Sequence, residues 1–204
     1  MLELLERSAP APEAASLRDG VAANGRLTAA LAAVLLVLLA AEGATIPWIG
    51  QLRVEHILVG LLLLGPVAAK LASTGYRFAR YYLGAPAYVR KGPPPTALRL
   101  LAPGVVFTTV ALFGTGVALL LAGEPSGQFV FLHKASFIAW FALMAVHVLG
   151  HLLEVPHQAL ADWRAVSREP RLAGASLRLA AVAAALTGGA AIAALAVSAA
   201  GSWG

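Results

Sequence analysis

Long apolar stretches broken by short polar ones dominate the chain. Five of them predict helices that cross a membrane, at about 27–49, 52–72, 98–122, 129–153 and 177–200. A spanning helix needs about 20 mostly apolar residues. The first stretch is apolar from Leu27 to Ala41, and reaches Ile49 if the following loop dips into the interface. Helices are expected because the Ala- and Leu-rich runs show no period-two alternation, and a lone strand in lipid would leave its backbone groups unsatisfied. The expectation is an all-α bundle spanning residues 27–200, preceded by a polar segment, 1–26.

Composition places this bundle in lipid. The 204 residues are 59% hydrophobic and only 12% charged, where a soluble domain carries about 25% charged residues. Mean hydropathy is +0.78. The pI of about 10.1 would suit a nucleic-acid partner in a soluble protein, but this apolar content excludes that class and excludes a disordered chain. With no cysteine, protein-held iron–sulfur clusters, disulfides and thiol catalysis drop out.

Charge gives the expected orientation. Arg7, Arg18 and Arg26 precede the first span. Arg77, Arg80, Arg90, Lys91 and Arg99 lie between the second and third, and Arg164, Arg168, Arg171 and Arg178 between the fourth and fifth. Twelve of the fifteen cations thus fall on alternate connections, which the positive-inside rule assigns to the cytoplasm. The N-terminus is expected inside and the C-terminus outside. Ala41-Glu42-Gly43 would suit a signal peptidase, but the long, acid-containing lead-in reads as an anchor. The basic loops also suit contact with anionic lipid. Gly92-Pro93-Pro94-Pro95 predicts a stiff, extended turn before the third span. No Ser-centred elbow, HExxH, paired carboxylates or phosphate loop is present.

Chemistry then rests on histidine. His56 is the fifth residue of the second predicted helix and His133 the fifth of the fourth. Both helices run in the same direction, so the imidazoles lie at one depth. Intramembrane ionisable residues are costly and therefore functional candidates. Two imidazoles at one level on separate helices suit the axial positions of a haem iron. Gly60, one turn after His56, would clear room for a porphyrin face, and Arg53 could pair with haem propionates. The competing reading for each histidine is a headgroup-level residue bonded to a neighbouring backbone.

His147 follows His133 by fourteen residues, about 21 Å along one helix face. That face carries His133, Phe137, Trp140, Met144, His147 and His151. It reads either as a helix serving two cofactor levels or as a packing stripe ended by interfacial histidines. Lys70 follows His56 by the same interval. It would snorkel to the surface, or meet a haem propionate or a quinone oxygen. His157, beside Glu154 and Asp162, reads as a solvated loop residue.

A histidine early in the second helix and a pair fourteen apart in the fourth resemble the membrane cytochrome b subunits of respiratory formate dehydrogenases and nickel–iron hydrogenases, in the bacterial b561-like class. The resemblance rests on His56, His133 and His147 and covers about the first four helices. It implies that His56 and His133 hold a haem b near the outer face of a bacterial inner membrane. The remaining fourth-helix histidine of that family shares an inner haem with a histidine at the start of the first helix. Here that region reads Asn24-Gly25-Arg26-Leu27, leaving His147 without its family partner and a second haem without one ligand. The fifth helix is also additional to the family's four.

Three functions follow as expectations. The first is an electron-transfer subunit linking a redox partner, such as an iron–sulfur or molybdenum enzyme, to membrane quinone. The others are a haem-free ion or proton transporter using His147, His151 and Lys70, and a membrane anchor or assembly protein.

Overall fold

The computed structural model describes residues 12–122, 127–151 and 174–201. Every regular element among them is helical. α1 runs Pro12–Thr45, and a 3-10 turn at Ile46–Trp48 leads into α2, Arg53–Tyr82. A short α3, Pro86–Lys91, precedes α4, Thr96–Ala122, and α5, Gly127–His151. α6, Ala175–Leu195, ends at a turn and is followed by α7, Val197–Gly201. Five helices, α1, α2, α4, α5 and α6, are long and apolar enough to cross a membrane, as the hydropathy pattern predicts.

Helix ends differ from the predicted spans for a physical reason. Hydropathy marks where lipid-compatible sequence begins, not where hydrogen bonding begins. α1 starts fifteen residues before Leu27, because Ala, Glu, Leu and Arg propagate a helix in water as well as in lipid. α2 outruns its predicted end by ten residues, through Tyr76, Arg77, Arg80 and Tyr81, side chains that favour the membrane interface. The predicted extended turn at 92–95 is present, entered through Gly92 at φ 76°. The short α3 was not expected. The reading of His157 as a loop residue lies outside the described residues, as do Arg164, Arg168 and Arg171.

Two packing units form. α1, α2 and α6 make the first, joined around Ala30, Leu31 and Val182 with Ala69 and Leu186 against them. α2 and α6 touch backbone to backbone. A Cβ on Gly65 would strike the Ala185 carbonyl, and one on Gly189 would strike the Leu62 carbonyl. Small residues are the usual device for such approach in lipid, where hydrophobicity gives helices no reason to associate. α4 and α5 form the second unit, pinned by the buried Trp140, whose indole N–H donates to Thr109 Oγ1 at 3.0 Å. α2 meets α4 over a shorter contact, whereas α2 and α5 have no extended backbone packing. Phe107, Leu121, Phe131, Ile138, Phe141 and Leu195 face outward, as a lipid-solvated surface requires.

Candidate functional site

The site is built where α1 ends, α2 begins, and α4 and α5 meet. The 3-10 turn folds α2 back along the last turn of α1, setting His56 beside Thr45 and Glu42. His56 Nδ1 lies 2.8 Å from Thr45 Oγ1 and 3.1 Å from Glu42 Oε1. Across the site, His133 Nδ1 lies 3.1 Å from Thr115 Oγ1 of α4. The two imidazole centres are 6.4 Å apart with their planes at 86°. Both rings are partly buried.

Hydrogen bonding fixes the tautomers. A threonine hydroxyl has a single proton to give. Thr45 gives its own to the Glu42 carbonyl at 2.6 Å, so towards His56 it accepts. With that proton given to the backbone, the Thr45 oxygen is left to accept from His56 Nδ1. Thr115 likewise shares its one proton between the Ala111 and Leu112 carbonyls, at 2.8 and 3.0 Å, so its oxygen is left to accept from His133 Nδ1. A proton on Nδ1 of each ring, given to its threonine, puts the lone pair on Nε2. Bonding of the second ring nitrogen is how metal-binding histidines are oriented and made more basic.

Spacing agrees with a shared metal. A metal–imidazole bond is about 2.0 Å. Two in line, plus about 1 Å from each nitrogen to its ring centre, span roughly 6 Å. Among the described residues, no group of three or more His, Asp or Glu side chains is placed to hold a metal ion. Two imidazoles without a third side-chain donor would suit a haem, which brings its own macrocycle nitrogens, better than a bare cation.

The other expected residues fall as follows. Gly60 faces Glu42, whose Oε1 would lie 3.2 Å from a Cβ there, so the room its missing side chain leaves borders the carboxylate. Arg53 opens α2, exposed, one turn before His56. Lys70 turns into the α1–α2 seam and donates to the Thr28 carbonyl at 2.7 Å. Beside it, Thr28 Oγ1 and Ser73 Oγ are 2.6 Å apart, and Asn24 Nδ2 donates to Ser73. Lys70 thus takes part in a polar clasp between two helices. His147 stacks edge-on against His151 at 4.9 Å, and its Nδ1 is buried without a hydrogen-bond partner. No imidazole faces it from another helix among the described residues. Of the remaining α5 face, Trp140 belongs to the α4–α5 packing.

No family model, curated protein or solved structure matches this chain. Sequence reasoning passed over Glu42, Thr45, Thr115 and Gly116. Gly116 leaves space for the His133 ring, whose Cε1 would lie 3.2 Å from a Cβ there. Glu42 did carry a signal, since an acid at the end of an apolar run is as costly as a histidine within one.

Proposed function

We propose that the chain is a b-type haem protein of the membrane, holding one haem between His56 and His133 and passing electrons between a redox partner and membrane quinone. The carrying observation is the pair of Nδ1-bonded imidazoles on α2 and α5, with ring centres 6.4 Å apart. When bound, the haem supplies a one-electron couple; the protein contributes ligands, orientation and a low-dielectric setting. Thr45 and Thr115, each on an Nδ1, would leave Nε2 of His56 and of His133 to hold the iron. The α1/α2/α6 and α4/α5 units supply opposite walls. The same account takes the basic end of the bundle as cytoplasmic and the haem end as outward, in a bacterial inner membrane. An iron–sulfur or molybdenum protein on the outer face is then the natural donor or acceptor.

Replacing either ligand tests this. His56→Ala and His133→Ala should each abolish the haem spectrum while the protein still inserts at normal yield. Unchanged haem in both variants would refute the assignment.

A further inference from the structure

At the other end of the bundle, two adjoining hollows of about 330 and 230 Å³ open between α1 and α3. Small-molecule sites begin at roughly 300 Å³. Val21, Ala22, Ala87, Arg90 and Lys91 line the larger, and Arg26 joins Ala22 and Lys91 in the smaller. Arg90 and Lys91 thus border the larger hollow and Arg26 and Lys91 the smaller, with Lys91 common to both. The floor is apolar: Val21, Ala87 and Tyr88 form a buried cluster with Tyr81 and Ala85 against it. Burial, and then the neighbouring Tyr76, raise the Tyr88 phenol above its ordinary range, so it adds no negative charge at neutral pH.

Depth identifies the ligand. The apolar run of α1 begins at Leu27, less than two turns beyond Val21, Ala22 and Arg26, and α3 lies between the end of α2 and the start of α4. The hollow therefore stands where hydrocarbon gives way to headgroups. Basic pockets at that level bind anionic lipid headgroups. We propose that this hollow binds the phosphate of an anionic phospholipid between Arg26, Arg90 and Lys91, with the glycerol end of the lipid over the Val21–Ala87 floor. A soluble phosphate compound offers the same chemistry, but would not be concentrated at this depth. The proposal is independent of the haem.

The test is lipid binding by the full chain in neutral detergent, titrated with phosphatidylglycerol, phosphatidylcholine or inorganic phosphate, and read by native mass spectrometry. Phosphatidylglycerol should be retained in preference to phosphatidylcholine. A surface cation contributes about fivefold to such binding, so Arg90→Gln with Lys91→Gln should weaken it by about twenty-five-fold. Arg99→Gln removes one charge at the same end outside the hollow, where solvent screens it from the bound phosphate, and should change it less than about twofold. Arg26→Gln, on α1, should cost about fivefold by itself, which keeps the test valid if the double variant unfolds α3. Equal losses in Arg99→Gln and Arg26→Gln, equal retention of the two lipids, or displacement of phosphatidylglycerol by inorganic phosphate would each overturn the proposal.

Discussion

His56 and His133 sit on different helices, seventy-seven residues apart in the chain, with ring centres 6.4 Å apart and planes nearly perpendicular. Their Nδ1 atoms are committed to Thr45 and Thr115. With Nδ1 bonded, Nε2 is the nitrogen of each ring that would bind iron in the proposed site. From this the first prediction follows.

Thr45→Val and Thr115→Val keep the side-chain shape and remove the hydroxyl. Loss of such a partner costs about 10–100-fold in metal affinity. Each variant should therefore lose haem on dilution more readily than the parent, and the double variant more than either. A Thr→Ser change should restore retention. Wild-type retention in the double variant would show that the hydroxyls do not orient the rings.

His147→Ala should leave the haem content and spectrum unchanged, because no imidazole opposes His147 among the described residues. Haem loss in this variant would mean that His147 is a ligand after all.

Lys70→Met should likewise leave the haem spectrum unaltered, since the ammonium is turned to the Thr28 carbonyl. A hydrogen bond from a charged group contributes about 1.5–3 kcal/mol at most, so a modest drop in thermal stability is the expected effect. A shifted haem spectrum or an altered proton flux in vesicles would favour a cofactor or relay role for Lys70.

The sequence made some of this readable and hid the rest. Bilayer thickness forces apolar runs of fixed length, so the five spans stood out in the hydropathy. Matched depth, five residues into two parallel helices, made the His56–His133 pair readable too. Nothing local announced Thr45 and Thr115, which are ordinary near helix ends and meet their histidines only through tertiary packing. Lys70 found a backbone carbonyl as its partner, and every residue has one of those. The helix extensions at Pro12–Arg26 and Ser73–Tyr82 were hidden because polar residues continue a helix without any change in hydropathy to mark it.

Gly65 and Gly189 give a prediction about the scaffold alone. Each meets a carbonyl of the partner helix, so Gly65→Ala or Gly189→Ala should force α2 and α6 apart. Overpacking of this kind costs about 1–3 kcal/mol. Both variants should melt earlier than the parent, whereas Gly114→Ala, where a Cβ meets nothing within 4 Å, should not. Equal melting of all three would mean that the α2–α6 approach is looser than described.

The most direct test of the central claim is the visible spectrum of the full chain purified from membranes, oxidised and dithionite-reduced, with haem measured per protein. The account predicts a sharp reduced α band and about one b haem per chain, since one opposed histidine pair gives one bis-imidazole site. Protein that carries no haem, and takes up none when it is supplied, would contradict it.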